Sequence, residues 1–135
     1  MSQSKVSTNK EVLFSEEQQL VSITDTRGVI TYANDDFCQI AGFSQEELIG
    51  QPHNIVRHPD MPKAAFADLW EKLRRGDSWR GFVKNRCKNG DYYWVDAFVT
   101  PLYEHGVVTG YQSVRCKPSQ QQKDKAQAIY SAINA

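Results

Sequence analysis

The chain has 135 residues, of which 40% are hydrophobic and 24% charged, and its 16 basic residues balance its 16 acidic ones. This composition predicts one globular domain, and zero net charge excludes an overall field that attracts nucleic acid or anionic membranes. The three cysteines are odd in number and widely spaced, which argues against a disulfide framework or a zinc site. Without a signal-peptide core or a membrane-length apolar run, we expect a soluble, cytoplasmic chain.

The N-terminal third begins with a polar segment and continues with two strands. Residues 1–17 are interpreted as an N-terminal cap that is mobile or loosely packed. Two β-branched runs follow, QLVSITDT at 18–25 and GVITYAN at 28–34, and the turn sequence Asp25-Thr26-Arg27-Gly28 joins them. These runs predict the first two strands of a sheet.

Short helices are predicted next. Asn34 or Asp35 can cap the helix DDFCQIAG, which stops at Gly42. Ser44 and Glu47 have the spacing of a capping box at the start of the helix SQEELIG. A longer helix is predicted over 62–76, where four apolar residues share one face at i, i+3, i+4 and i+7: Phe66, Leu69, Trp70 and Leu73.

The last third predicts antiparallel strands. Asn89-Gly90 indicates a two-residue hairpin turn, and His105-Gly106 turns the chain into a final strand, VVTGYQSVRC. A C-terminal helix should carry its apolar residues on one side, namely Ala126, Ile129, Tyr130 and Ile133. We therefore expect an α+β domain at 18–117, with five antiparallel strands and short helices on one face, followed by a linker helix at 118–135.

Alternation along the strand at 79–88 gives the first functional inference. Trp79, Gly81, Val83 and Asn85 fall on one face, and the opposite face is wetter. A buried amide without a partner costs on the order of 1–3 kcal/mol, so Asn85 should bond either a neighbouring loop backbone or the polar edge of a ligand. In the second case Trp79 is an aromatic wall, and Gly81 lets a flat ring approach the backbone.

The segment PHNIVRHPDMP at 52–62 is rigid and polar. Its histidines, His53 and His58, lie about 140° apart around a helix, so they cannot share a metal on one helical face. No serine or cysteine lies in a nucleophile-elbow sequence, which argues against a hydrolytic triad. The remaining interpretation is a stiff loop that presents Arg57, His58 and Asp60. Either Arg57 pairs with Asp60, or the loop offers donors to a polar or anionic ligand.

Two stretches resemble a known family. ITYANDDFCQIAGFSQEELIGQP and VKNRCKNGDYYWVDAFVTPLYEHGVVTGYQSVR resemble Per-Arnt-Sim (PAS) sensory domains, over residues 18–117. The loop VRHPDMP resembles the N-terminal domain of bacterial aerotaxis receptors and is not carried by generic PAS domains. The resemblance implies a five-stranded antiparallel sheet with short helices that enclose a cofactor pocket. For the aerotaxis branch it also implies non-covalent FAD and a report of redox state to chemotaxis machinery.

By position, the resemblance implies FAD contacts from Asn34, Arg57, His58, Asp60, Trp79 and Asn85. His53 stands where the related light-oxygen-voltage photoreceptors carry their adduct-forming cysteine, so covalent photochemistry is not expected. Val95 and Arg115 stand where those photoreceptors have further flavin-contacting amides. Arg115 is either a sensor of charge on a reduced flavin or a rim arginine paired with solvent or an acidic side chain. His53 and Arg115 therefore join the candidate cofactor-binding residues.

The leading prediction is a redox sensor and not an enzyme, because the chain is short and lacks GxGxxG and a nicotinamide site. A flavin oxidoreductase is the competing enzyme function. Two competing functions keep the fold without a flavin. One is a cofactor-free PAS dimerisation module with a pocket filled by side chains, and the second is a haem sensor that uses His53 or His58.

The opposite sheet face is apolar enough to need a cover, since it carries Phe82, Trp94, Phe98 and Val114. A partner, a second subunit in a homodimer, or the chain's own termini can supply that cover. The resemblance implies a downstream chemotaxis signalling domain as a partner. It also implies a cytoplasmic location, including as the cytosolic part of a membrane-anchored receptor.

Overall fold

Five strands pair into one antiparallel sheet in the computed structural model, which describes residues 7–134. The strands are β1 (Leu20–Thr24), β2 (Ile30–Ala33), β3 (Trp79–Arg86), β4 (Tyr92–Glu104) and β5 (Val107–Cys116). The helices are α1 (Asp35–Ala41), α2 (Gln45–Leu48), α3 (Lys63–Arg74) and α4 (Gln120–Asn134), with a 3-10 turn at His53–Val56. The strands lie in the order β2-β1-β5-β4-β3, so β3 is an edge strand.

The ends of the short helices follow the capping signals in the sequence. Asn34 is the N-cap of α1, where its side-chain oxygen accepts a hydrogen bond from the Phe37 N–H. Gly42 ends this helix with a φ of 79°, a left-handed conformation that glycine adopts without strain. Ser44 and Glu47 form the predicted capping box of α2. Local sequence signals therefore set the boundaries of this helical region.

The β3–β4 hairpin differs from the two-residue turn predicted at Asn89-Gly90. The Cys87 N–H donates to the Asp91 carbonyl at 2.7 Å, and the Gly90 N–H donates back to the Cys87 carbonyl at 3.0 Å. The loop is therefore Lys88-Asn89-Gly90, with Gly90 at a φ of 97°. Asn89 also accepts a hydrogen bond from the Asp91 N–H at 2.9 Å. This side-chain bond favours a turn followed by a left-handed glycine, which is the common three-residue hairpin.

Helices lie on both faces of the sheet. α1, α2 and α3 cover the inner face, whereas α4 packs on the outer face. The Tyr130 ring stacks on Trp94 with centroids 6.3 Å apart, and the Tyr130 hydroxyl donates to the Phe82 carbonyl at 2.5 Å. Ile129 and Ile133, predicted to share the apolar side of this helix, are about half exposed. The C-terminal helix thus docks on the domain, and its role as a linker stays a prediction.

The described part of the N-terminal cap is attached to the sheet. The Val12 N–H donates to the Tyr92 carbonyl at 2.7 Å. The Glu11 carboxylate pairs with Lys123 of α4 at 2.9 Å, and little of either side chain is exposed. The interpretation of a loosely packed segment is therefore wrong for this stretch, because both backbone and side-chain bonds hold it. Residues 1–6 of the predicted cap lie outside the described residues.

The two ends of the chain cover the outer face only in part. Trp94 is buried beneath them, whereas Phe98 is 46% exposed. The outer side of β3 is also less exposed to solvent than strand alternation predicted. Of the two arginines on this side, Arg80 is largely exposed but Arg86 is buried. Coverage by the chain's own termini therefore accounts for Trp94. A homodimer that covers the remaining apolar surface stays a prediction.

We expect Gly110→Ala to destabilise the sheet. A Cβ at Gly110 would lie 2.1 Å from the Thr24 carbonyl oxygen, so β1 and β5 would have to separate locally. The expected loss in the free energy of unfolding is about 1–3 kcal/mol, as for overpacked cores. Urea denaturation measures it, with the exposed neighbour Thr109→Ala as a control that should change stability by about 0.5 kcal/mol or less. Equal stability of Gly110→Ala and the wild type would contradict the close approach of the strands.

Candidate functional site

A pocket opens between the inner face of the sheet and the helical layer. Its empty space, counted together with its solvent-open mouth, is about 770 Å³. Four strands supply its floor, and α3 and the 3-10 turn supply its walls. Its polar and aromatic lining residues are Ser22, Thr24, His53, Asn54, Phe66, Arg57, Trp70, Trp79, Asn85, Tyr111, Ser113 and Arg115.

The pocket side of β3 is the face predicted from alternation. Trp79, Val83 and Asn85 all line the pocket. Gly81 does admit a flat ring, but that ring is the indole of Trp79, which would lie 2.4 Å from a Cβ at Gly81. The indole N–H donates to Asp68 of α3 at 2.9 Å, which holds the ring in place. The prediction that the space at Gly81 serves a ligand ring is therefore wrong, because the protein fills it.

The Asn85 amide is buried and faces the pocket. Within residues 7–134 its side chain makes no hydrogen bond of standard geometry, so the predicted option of a bond to a neighbouring loop backbone is not realised. The Tyr93 hydroxyl, directly across the β3–β4 pair, is also buried without a partner. Burial raises the pKa of Tyr93, whereas the charge of Arg115 and, to a smaller extent, a hydrogen-bonding contact with the Asn85 side chain oppose this rise. A buried hydroxyl without a partner of standard geometry is rare, and the Asn85 amide beside it faces the pocket, so this corner is suited to a ligand.

Arg115 lies in the pocket floor and is 2% exposed. Its guanidinium donates to the Leu20 carbonyl at 3.2 Å and to Ser22 Oγ at 2.6 Å, contacts His53 Nε2, and lies 4.6 Å from the Phe37 ring centroid. No carboxylate in the described part of the chain pairs with it. Burial lowers its pKa to about 10, so it stays charged at neutral pH. The interpretation of a rim arginine is wrong.

His53 lies beside this charge and is neutral. Its Nε2 is 3.2 Å from Ser22 Oγ, and its ring stacks on Phe37 with centroids 6.0 Å apart. Burial, together with the charge of Arg115, lowers the pKa of His53 to about 3. A neutral imidazole can accept a hydrogen bond from the guanidinium but adds no charge. The wall of the pocket at Arg115 is therefore positive and favours an anion or an electron-rich edge.

The loop after the 3-10 turn crosses the edge of β3 and separates the predicted residues. Arg57 forms an antiparallel bridge with Asn85, and its side chain lines the pocket. The guanidinium lies 3.8 Å from the Phe66 ring centroid, and its buried Nε has no partner. Because successive side chains of an extended segment point in opposite directions, His58 faces the outer side, where it packs edge-on against Tyr92.

Asp60 also lies on the outer side, where its carboxylate bonds Lys84 at 2.9 Å. This hydrogen bond holds the pKa of Asp60 below its ordinary value. The predicted pairing of Arg57 with Asp60 is therefore wrong, since the two side chains lie on opposite sides of the edge strand. Neither His58 nor Asp60 lines the pocket, and a contact of either with a cofactor stays a prediction.

Asn34 is a structural cap in this arrangement. Its side-chain oxygen accepts from the N–H groups of Phe37 and Val21, each at 3.0 Å, and its amide donates to the Gln19 carbonyl at 2.8 Å. The side chain does not line the pocket. Its implied FAD contact therefore stays a prediction to which the geometry adds no support.

The sequence analysis missed several lining hydroxyls. Ser22 of β1 and Ser113 of β5 face each other in register, and both line the pocket with Thr24. Alternation would have found them, because Leu20, Ser22 and Thr24 lie on one face of β1. A polar residue on an apolar strand face is the same signal that singled out Asn85. The apolar face predicted for α3 lines the pocket.

No group of three histidine, cysteine, aspartate or glutamate side chains within residues 7–134 lies close enough to hold a metal ion. No helix in the same range has the length and apolar character that crossing a membrane requires.

A family model described as the PAS fold matches residues 30–115. The chain belongs to the PAS family. The aerotaxis receptor of Escherichia coli (strain K12) is 47% identical over 128 residues, which cover 95% of this PAS domain and 25% of the receptor. The nitrogen fixation regulatory protein of Klebsiella pneumoniae is 34% identical over 82 residues, which cover 61% of this chain and 17% of that protein. The chain thus spans a quarter or less of these curated relatives.

Solved structures agree with this assignment. A light-oxygen-voltage domain studied with a flavin analogue superposes with a TM-score of 0.72 at 26% identity, over 87% of both chains. The dark structure of the Aureochrome1 light-oxygen-voltage domain superposes with a TM-score of 0.72 at 22% identity, over 86% of both chains. The resemblance stated from the sequence and the five-stranded PAS fold are both confirmed.

We expect His53 to stay neutral down to about pH 4 in the ligand-free protein, as its low pKa requires. Its folded pKa lies below the ordinary 6.5, so the unfolded chain takes up the proton first as pH falls. Stability therefore falls from about pH 6.5 towards pH 3, by up to about 1.4 kcal/mol per pH unit. Histidine NMR titrations and urea denaturation measure both effects. His53→Asn should lose this share of the pH dependence, and a His53 titration near 6.5 would contradict the assignment.

Proposed function

We propose that this PAS domain binds FAD non-covalently and reports the redox state of the flavin to a chemotaxis signalling domain. The observation that carries the proposal is the charged Arg115 in the pocket floor, which lacks a carboxylate partner in the described part of the chain. The buried Asn85 amide, which faces the same pocket, supports it. An aerotaxis receptor and a light-oxygen-voltage domain studied with a flavin analogue are among the similar proteins.

The lining groups fit the polar edge of a flavin ring. That edge alternates acceptors and donors, and the Asn85 amide can supply both. The hydroxyls of Ser22 and Ser113 lie in the same wall, and Arg115 offers charged donors to an electron-rich oxygen. Trp70 and Tyr111, which meet edge to face with centroids 5.6 Å apart, add apolar surface for a flat ring.

Arg57 fits the other end of the cofactor. Its guanidinium lies over Phe66, and its buried Nε lacks a partner. A phosphate oxygen of FAD is a charged acceptor that would satisfy this donor, and arginine binds phosphate with paired donors. Arg115 and Arg57 are thus assigned to the ring and the diphosphate respectively.

A bound flavin supplies reversible reduction, which adds electrons and negative charge within the pocket. Arg115 would stabilise that charge, because no acid within residues 7–134 competes for its guanidinium. Asn85 must turn its amide when an acceptor on the ligand becomes a donor. His53 stays in contact with the guanidinium and follows its movement. A coupling of about 1–3 kcal/mol between these rearrangements and the domain conformation is enough to signal.

The side chains that line the pocket support redox sensing over the formation of a light-driven cysteine adduct. No cysteine of residues 7–134 lines the pocket. The Cys87 thiol donates to the Ile40 carbonyl at 3.3 Å, and burial raises its pKa to about 11. A thiol held in this way is a poor nucleophile. The proposed site therefore holds the flavin through non-covalent contacts.

The competing functions fit the pocket less well. A cofactor-free dimerisation module needs a pocket filled by side chains, whereas this one is open and is lined by the Asn85 amide and the Arg115 guanidinium. A haem sensor would bind iron through an imidazole, but the imidazole of His53 lies against the positive charge of Arg115, and His58 does not line the pocket. A flavin sensor is thus favoured over a filled module or a haem protein.

The proposal includes the assembly in which the domain works. We assign it to the cytoplasm, also as the cytosolic part of a membrane-anchored receptor, and to a homodimer that passes its signal to a downstream chemotaxis domain. The exposed Phe98, Ile129 and Ile133 are consistent with further contacts on the outer side.

The purified protein should be yellow, with flavin absorbance, and Asn85→Ala should weaken FAD binding. Loss of the amide leaves part of the flavin edge unpaired, so we expect an affinity about 5–150-fold lower, equivalent to 1–3 kcal/mol. Fluorescence titration of the apoprotein with FAD measures it. Gln121→Ala, which removes an exposed amide on α4, is the matched control. A colourless protein whose Asn85→Ala variant binds FAD like the wild type would refute the pocket assignment.

Arg115→Met should lower the midpoint potential of bound FAD, because the reduced ligand loses a neighbouring positive charge. We expect a shift of about 30–60 mV, which corresponds to roughly 1.4–2.8 kcal/mol for a two-electron couple. The apoprotein should be as stable as the wild type or more so, since a buried unpaired charge is removed. Spectroelectrochemistry measures the potential, with the outer-face Arg80→Met as a control. An unchanged potential would remove Arg115 from the sensing role.

A further inference from the structure

Lys84 lies on the outer face of β3, beside the pocket-facing Asn85 in the chain. Its ammonium bonds the Asp60 carboxylate at 2.9 Å and lies 4.5 Å from the Tyr92 ring centroid. Its backbone N–H donates to Met61 Sδ at 3.4 Å. The Lys84 side chain is 11% exposed, although it carries a charge and lies outside the pocket lining. Lys84 therefore attaches the loop at 60–61 to the edge strand through both its side chain and its backbone.

The same loop carries Arg57 into the pocket wall. The chain from Arg57 to Asp60 is short, contains Pro59, and crosses the strand edge at the bridge between Arg57 and Asn85. His58 Nδ1 accepts a hydrogen bond from the Asp60 N–H at 3.0 Å, which further stiffens the crossing. On the pocket side, by contrast, the Arg57 guanidinium rests on an aromatic face and its Nε lacks a partner. The position of Arg57 thus depends on how its backbone is held from outside.

We propose that Lys84 is a positioning residue for the pocket. From the outer face it holds Asp60, and through the stiff crossing it fixes the Arg57 guanidinium where a ligand meets it. Lys84 itself touches no ligand in this arrangement. The identity of the ligand rests on the proposed function, whereas the coupling across the strand edge rests on the contacts alone.

The C-terminal helix contacts the same junction. The Asn134 side-chain amide donates to the Asp60 carbonyl at 2.7 Å, and the Tyr130 hydroxyl donates to the Phe82 carbonyl of β3. The positioning set therefore extends from Arg57 in the pocket to the last turn of α4. A displacement of Arg57 by ligand is transmitted to Asp60, which both Lys84 and Asn134 contact.

The chain provides a matched control on the same strand and the same face. Arg80 pairs with Asp96 at 2.7 Å, and Arg80 is also a residue of β3. Asp96 belongs to β4, however, and has no link to the loop that carries Arg57. Removal of Arg80 therefore measures the effect of losing a cation from the outer face of β3 while the loop that carries Arg57 stays attached.

The first test measures FAD affinity by fluorescence titration. Lys84→Met should weaken binding by about three- to tenfold, the size that one partly exposed ion pair can transmit. Lys84→Arg, which keeps the ion pair, and Arg80→Met should both bind within about twofold of the wild type. In an Arg57→Met background, Lys84→Met should have no further effect, because the group that it positions is gone. Equal losses in both backgrounds would overturn the proposal and leave a general structural role.

The second test needs no ligand. Amide hydrogen exchange over residues 57–61 should be faster in Lys84→Met than in the wild type, and unchanged in Arg80→Met. Unchanged exchange in Lys84→Met would overturn the coupling even if FAD binds. Failure of the wild type to bind FAD would instead refute the proposed function, and the exchange comparison would still decide the role of Lys84.

Discussion

The pocket depends on a buried guanidinium that pairs with no carboxylate of residues 7–134. Arg115 reaches it from the central strand β5, and three of its five N–H donors contact the Leu20 carbonyl, the Ser22 hydroxyl and His53. Burying a charge costs several kcal/mol unless hydrogen bonds and a partner compensate it. The neutral imidazole and the Phe37 ring reduce this cost without cancelling the charge. The domain therefore keeps a positive site in its interior, which a core selected only for stability would avoid.

Strand alternation decides which side chains share that interior. On β3 it puts Asn85 inside and Lys84 outside, and the bridge between Arg57 and Asn85 extends the same rule to the neighbouring loop. Arg57 therefore points into the pocket while His58 points away from it. Residues adjacent in the sequence thus have different roles, one facing a ligand and one facing the outer surface. A cluster of polar residues in a sequence is consequently a weak guide to a cluster in space.

Features set by local rules could be predicted from the sequence. Spacing over a few residues is enough to predict the caps at Asn34 and Ser44, the apolar face of α3 and the orientation of Asn85 towards the pocket. The surroundings of Arg115 could not be predicted in this way, because its partners Leu20 and Ser22 are more than ninety positions away in the chain. Only the pairing of β1 with β5 brings them together. The resemblance to PAS domains identified Arg115 as a candidate. That it is buried and lacks a carboxylate partner among the described residues could be seen only in the fold.

The two arginines of the pocket differ in how firmly the fold holds them. Arg115 belongs to a strand paired on both sides, so a change in charge at its guanidinium meets a stiff backbone. Arg57 belongs to a loop joined to an edge strand by an isolated bridge, and such segments yield more easily. A ligand that contacts both arginines would interact electrostatically with Arg115 in the rigid centre of the sheet and would displace Arg57 at the more flexible edge. Asp60 and α4 are in contact at that edge. A change in the pocket would therefore first alter the outer face, where another molecule can bind.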